Sequence, residues 1–451
     1  MTKFVLIGAG SLQFGTGMLG DIFSSPSLSD AEIILHDINE TAAKRVLAIA
    51  QQHIESKHYR HQVRVEPDLG RALQGAEFIV ISIEVGDRFK LWDLDWKLPQ
   101  QYGVTQIFGE NGGAGGLFHA LRIIPPILDI CGKVMEMAPT ATVFNFSNPM
   151  SRICTAVHRK FPNLKFIGMC HEVASLERHL PPMLGVARSD IHYRAGGLNH
   201  FSVLTEVTYC KSGKSALEDV MAAAPDYFRR LVGYSELLSA SQLTGKIVDT
   251  EGWMAIDTSH VDTLREWSDR FLFREMIRKF GALPITSDSH FGEYIQWAHD
   301  CADHRGILDF YQYYRESLSH REARIREGVH ERAVPIIEAI LTGTAYEEAA
   351  VNIPNGGFIA DLPPWMVVEV PAMIDAAGIH GLAVEVPSGI RGLLTNQIGV
   401  HDLTVQAVLE KSREMAVQAL LVDPVITVSR GLTDLVDHMI AVQSPYLDYL
   451  S

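Results

Sequence analysis

The sequence predicts an α/β protein whose first half is a doubly wound parallel sheet and whose second half is a C-terminal α+β region. Three observations carry that reading. Short apolar runs rich in β-branched and aromatic residues recur up to about residue 195, amphipathic stretches separate them, and the rhythm changes after Ala195. Continuous apolar runs bounded by Gly, Asp or Asn are the mark of strands buried on both faces. Their alternation with helices gives parallel crossover units.

The expected strands are residues 4–7, 33–35, 78–83, 142–146 and 166–169. Between the second and third, Ala43, Val46, Leu47, Ala50 and Ile54 share one helical face. Residues 1–195 are therefore expected to form one domain and residues 196–451 a second. In the second, Phe201, Val203, Thr205 and Val207 alternate as a strand, while 264–280, 321–341 and a last helix at 405–421 carry helical spacing. Residues 351–370 mix Asn, Pro and Gly with short apolar pieces, which suggests strands and tight turns beside a site. There is no internal repeat or low-complexity linker.

With 39 Lys and Arg against 54 Asp and Glu, the net charge of −15 argues against a nucleic-acid binder that tracks phosphates, and against an anionic membrane surface. Hydrophobic residues make up 47% and charged residues 21%, enough to bury a large core. Five scattered cysteines, with no C-x-x-C pair, do not form a disulfide framework, so a reducing cytoplasm is the expected location. No apolar stretch in the sequence reads as a bilayer span of roughly 18–20 residues.

The first strand ends in Gly8-Ala9-Gly10-Ser11, where backbone N–H groups can approach a pyrophosphate. The G-x-G alone is a weak signal, and Gln13 stands where a third glycine would be. Its place after an N-terminal strand, answered by Asp37 at the end of the second strand, raises it to a Rossmann-like NAD site, with Asp37 bonding the ribose hydroxyls. Glu110 opens the glycine-dense stretch Glu110-Asn111-Gly112-Gly113-Ala114-Gly115-Gly116, either a surface loop or a ligand approach. Asn148-Pro149 and Cys170-His171-Glu172-Val173 follow two further strands. Cys170 is either a small buried apolar residue or, with His200 of Asn199-His200, half of a metal site with open positions.

Taken in order, these motifs resemble the family 4 glycoside hydrolases. Asn352-Ile353-Pro354-Asn355 and Val368-Glu369-Val370-Pro371 extend the resemblance nearly to the end of the chain. It implies a nucleotide-binding architecture like that of lactate and malate dehydrogenases. It also implies cleavage by NAD-mediated oxidation at C3, loss of the C2 proton, elimination at C1, addition of water and re-reduction, the exception among glycosidases. Cys170 and His200 would then ligate Mn²⁺, Asn148 would bond sugar hydroxyls, His171 would protonate the leaving group, and Glu110 would lie behind the C2 base. The base would be Asp288 or Tyr294, although Asp288 reads equally well as a helix cap and Tyr294 as a core aromatic.

The Cys-His-Glu-Val form resembles the α-galacturonidase subgroup. Trp92 stands about where phospho-sugar enzymes carry an Arg, which fits an unphosphorylated substrate. The expectation is an α-galacturonidase acting on small pectin-derived galacturonides, with Arg88 as a candidate for the uronate carboxylate, in a homo-oligomer. Alternatives are another family 4 α-glycosidase (α-glucosidase, α-galactosidase or α-glucuronidase) and an NAD-dependent 2-hydroxy-acid dehydrogenase.

Overall fold

The computed structural model of the chain describes residues 1–12, 14–248, 265–320 and 324–450, so Gln13 and the first residues of the helices expected at 264 and 321 lie outside the described residues. Among the described residues eleven strands form one sheet: β1 Lys3–Ile7, β2 Glu32–His36, β3 Gln62–Val65, β4 Phe78–Ile81, β5 Thr142–Asn145, β6 Lys165–Gly168, β7 Ile191–Leu198, β8 Phe201–Tyr209, β9 Tyr346–Pro354, β10 Val367–Asp375 and β11 Gly378–Gly381. Their order is β3-β2-β1-β4-β5-β6-β9-β10-β7-β8, with β11 against β10. From β3 to β6 every pairing is parallel. The order 3-2-1-4-5-6 is that of a dinucleotide-binding sheet.

The unbroken apolar runs follow from burial on both faces. Val5, Ile7, Ile79 and Ile81 enter one core, and Phe4, Leu6, Phe78 and Val80 enter the core on the other side. On the first side lies the helix Gly113–Met137, whose length and composition would let it cross a membrane. It is mostly buried here, as a core helix. The helices Ile398–Leu409, Arg413–Val422 and Leu432–Val442 pack into the same core. Residues far beyond 196 thus complete the packing of the parallel half.

Beyond β6 the sheet turns antiparallel. One row of paired residues crosses it: Gly168 of β6, Asn352 of β9, Glu369 of β10 and Gly197 of β7. The β9–β10 register shifts between Val370 and Ala372, where Pro371 has no N–H to give the ladder. β7 and β8 form a tight hairpin, Leu198 opposite Phe201, with Asn199-His200 as its turn and His200 at φ 62°.

Several expected elements change. β3 was not anticipated: it is a short outer strand, and its Gln62-Val63-Arg64-Val65 pattern is polar and half-exposed. The helix expected at 264–280 is Phe271–Phe280, and that at 321–341 is Ala333–Thr342. The single helix expected at 405–421 is two, broken where Lys411 takes φ 53° and the Ser412 hydroxyl accepts from Met415 N–H as a cap. It is also not the last, because Leu432–Val442 follows.

Candidate active site

Gly8, at φ 83°, turns the chain out of β1, and a Cβ there would stand 2.0 Å from the Ser82 carbonyl oxygen. Gly10 N–H donates to Asp37 Oδ2 at 2.8 Å, and Asn39 N–H donates to Oδ1 at 2.8 Å. A Cβ on Gly10 would lie 2.7 Å from Ala42 Cβ and 2.8 Å from that carboxylate. The Ser11 hydroxyl accepts from Phe14 N–H at the start of the helix Phe14–Ser24. The turn is therefore a backbone cradle that side chains would fill, with the carboxylate of Asp37 fixed at its rim. Gly15 provides the close helix contact expected of a third fingerprint glycine: its Cβ would meet the Ala9 carbonyl oxygen at 2.5 Å. The G-x-G-x-x-G template missed it because it sits two residues late.

Cys170, just past β6, and His200, in the β7–β8 turn, come together with Sγ 3.6 Å from Nε2. Two ligands ~2.0–2.3 Å from one ion at a tetrahedral angle stand about that far apart. The Asn148 Oδ1 and the His200 Nδ1 are buried with no hydrogen-bond partner among the described residues. Among the described residues no third His, Cys, Asp or Glu joins the pair, so a bound ion would keep positions for oxygens from outside the chain. The donor set fits a divalent ion in that sense. His171 is exposed beside Cys170. Glu369, 1% exposed, holds the hairpin turn, accepting from Asn199 Nδ2 at 3.0 Å, Ser202 Oγ at 2.7 Å and Asn352 Nδ2 at 3.2 Å.

Glu110 sits behind an imidazole that sequence reasoning passed over. Its Oε2 lies 3.3 Å from His290 Nε2, and the His290 ring packs edge-on against His200 with centroids 4.5 Å apart. His290 Nδ1 is 3.0 Å from Ser289 Oγ. Burial works against both charges, yet the His290 contact and Arg88 hold Glu110 well below the usual carboxylate range, and Glu110 raises His290. Arg88 donates from one nitrogen to Glu110 Oε1 at 2.8 Å and from another to Tyr314 OH at 2.7 Å, with Glu84 3.7 Å from its Nε. Glu84, pulled down to about 2 against its burial by His119 and Arg88, adds a second negative charge. The signal for His290 lies in Asp288-Ser289-His290, where the carboxylate of Asp288 is the more obvious candidate base.

The structure shows what surrounds each of the two candidate bases. Asp288 is fully buried, and its two oxygens accept the N–H groups of Leu272 (2.9 Å), Phe273 (3.0 Å) and Asp303 (2.9 Å). It fastens the start of the helix Phe271–Phe280 and is aimed at backbone. Tyr294 stacks on Phe201 with centroids 4.8 Å apart and donates to the Asn199 carbonyl oxygen at 3.3 Å. Burial pushes that phenol well above its ordinary range, so it stays a neutral core aromatic.

Two family models match the chain, family 4 glycosyl hydrolase over residues 3–186 and its C-terminal domain over residues 195–426. The chain belongs to glycosyl hydrolase family 4. This family 4 glycosyl hydrolase is 56% identical to an alpha-glucosidase of Erwinia rhapontici over 100% of this chain and 99% of the relative. It is 28% identical to an alpha-galacturonidase of Bacillus subtilis, covering 95% and 94% of the two chains. A 6-phospho-alpha-glucosidase from gut microorganisms, solved in complex with NAD and Mn²⁺, shares its fold with a TM-score of 0.75 at 20% identity, covering 98% of each chain.

Proposed function

We propose that this family 4 enzyme is an NAD⁺- and Mn²⁺-dependent α-glucosidase that cleaves unphosphorylated α-glucosides. The observation that carries the choice of sugar is the state of Arg88. The one guanidinium nominated for a substrate anion is already paired with Glu110 and faced by Glu84. Engaged by Glu110, Glu84 and Tyr314, that guanidinium is already committed to acceptors of its own chain, which is unfavourable to its pairing with a uronate or a phosphate. The relative named alpha-glucosidase, 56% identical along the full length, supports the same choice. The galacturonide reading rests on Cys170-His171-Glu172-Val173 and would need a cation other than Arg88.

In this reading residues 1–195 carry the nucleotide, with NAD⁺ at Gly8, Gly10, Ser11 and Asp37, and Mn²⁺ is held by Cys170 and His200. When bound, the pair supplies a hydride acceptor and Lewis-acid polarisation of the sugar oxygens. Asn148, whose Oδ1 has no partner among the described residues, hydrogen-bonds a sugar hydroxyl. His171, exposed next to Cys170, protonates the departing oxygen. Glu110 backs His290, whose ring packs against His200, so the pair steadies that ligand beside the sugar. Glu369 keeps Asn199, and with it the His200 turn, in register.

The test is a panel of p-nitrophenyl α-glucoside, α-galactoside, α-galacturonide and α-glucoside 6-phosphate with catalytic NAD⁺ and Mn²⁺. The glucoside should be cleaved fastest, without net NADH. Cys170→Ser should lower the rate by about 10³-fold or more while folding normally. Preference for the galacturonide would return the substrate to a uronate, and stoichiometric NADH would make the protein a dehydrogenase.

A further inference from the structure

The same short segment that delivers His290 to Glu110 also delivers Glu293, three residues on, in the turn Gly292–Tyr294. Glu293 is 3% exposed. Its Oε1 accepts from Glu110 N–H at 2.6 Å and from Asn111 N–H at 3.2 Å, and its Oε2 accepts from Asn111 N–H at 3.1 Å and Asn111 Nδ2 at 3.4 Å. These N–H groups immediately precede the helix Gly113–Met137, whose N-cap, Gly112, has no side chain to offer. A carboxylate there satisfies those two N–H groups and lies near the positive end of the helix dipole. The approach depends on Gly112, where a Cβ would stand 2.3 Å from the Glu293 carbonyl oxygen.

We propose that Glu293 is a positioning residue for catalysis, its carboxylate clamping the main chain of Glu110 and Asn111 so that the Glu110 side chain stays aimed at His290 and Arg88. Glu110 is thereby gripped twice by one segment, at its carboxylate by His290 and at its backbone by Glu293. The inference rests on the reading of Glu110 and His290 given above. A cap that served stability alone would not move the chemistry of the ring two bonds away.

The groups facing Glu293 are Glu110 on the glycine loop, His290 and Tyr294 on its own segment, Arg152 from the helix Met150–Lys160, and His299 on the rim of a small cavity beside it. Burial raises its carboxyl to about 7, against the two backbone N–H groups that favour the ion. Above that pH both oxygens accept, and below it one becomes a hydroxyl and the clamp loosens. The turnover number should therefore rise as pH passes upward through about 7.

The experiment compares Glu293→Gln, Glu110→Gln and the double variant on the reconstituted holoenzyme, from pH 5.5 to 9. Glu293→Gln should lower kcat about tenfold or more, leave KM and NAD⁺ affinity within about twofold, and lose the rise near pH 7. The double variant should be no slower than Glu110→Gln alone, because the two act as one device. Should Glu293→Gln not fold, Glu293→Asp, whose shorter side chain cannot reach both N–H groups, should show the same kcat loss with the pH rise retained. If Glu110→Gln is slow but Glu293→Gln matches the wild type, or if their effects multiply, the clamp is wrong. If Glu110→Gln itself is as active as the wild type, it is the reading of Glu110 that falls, and the clamp with it.

Discussion

The glycine turn after β1 and the cluster around Glu110 lie in one molecule but are built over different ranges of sequence. The turn needs Gly8, Gly10 and Ser11, which lie within four residues, and Asp37 just past the neighbouring parallel strand, joined to Gly10 by a 2.8 Å hydrogen bond. The cluster needs Glu110, Cys170, His200 and His290, each from a different segment: one register row and the buried Glu369 hold the strands of Cys170 and His200, and His290 joins them by packing between His200 and Glu110. The turn is specified by backbone conformation, so one Cβ is enough to break it. The cluster is specified by a network, so its chemistry and its scaffold can be separated by substitution.

Gly10→Ala tests the first half of that contrast and has the largest expected effect. The added methyl must displace Ala42 or the Asp37 carboxylate, an overpacking cost of about 1–3 kcal/mol concentrated on the nucleotide cradle. NAD⁺ affinity measured by fluorescence titration should fall by about tenfold or more, with KM for the glucoside nearly unchanged. Equal loss of both would mean that the turn and the cluster are one unit.

In the cluster, Asp288→Asn removes the charge that accepts three backbone N–H groups. Stability by urea unfolding should drop by about 1–3 kcal/mol, while kcat of the folded enzyme stays within about threefold. Tyr294→Phe is milder still: one hydrogen bond to the Asn199 carbonyl oxygen is lost, about 0.5–1.5 kcal/mol, and kcat should change by no more than about twofold. A hundredfold loss of kcat at unchanged stability in either variant would restore that residue as the C2 base.

Much of the parallel half was legible in the sequence, because each of its strands is an unbroken apolar run and each candidate residue at a strand end follows directly from the strand. The pairing of Cys170 with His200 was one of two open readings until the family resemblance favoured it, since nothing local links positions 30 residues apart. The choice of base stays open in the sequence for a physical reason. Asp288, Ser289, His290, Glu293 and Tyr294 lie within seven residues on two short helical turns, so which side chain faces the site depends on rotation about those turns. Sequence shows the residue types there, and only packing shows that Asp288 faces backbone, Tyr294 faces Phe201 and His290 faces Glu110.

The substrate sharpened in the same way. Arg88 looked free in sequence because its partners, Glu84, Glu110 and Tyr314, are at separations from four to more than two hundred residues. By itself the sequence determined the doubly wound sheet, the glycine cradle with Asp37 and the family, all written in local pattern or in the order of motifs. Tertiary structure decided which carboxylates are scaffold and which face the chemistry, and that Arg88 is already paired. A charge's role is set by what lies within a few ångströms of it, and chain order does not record that distance.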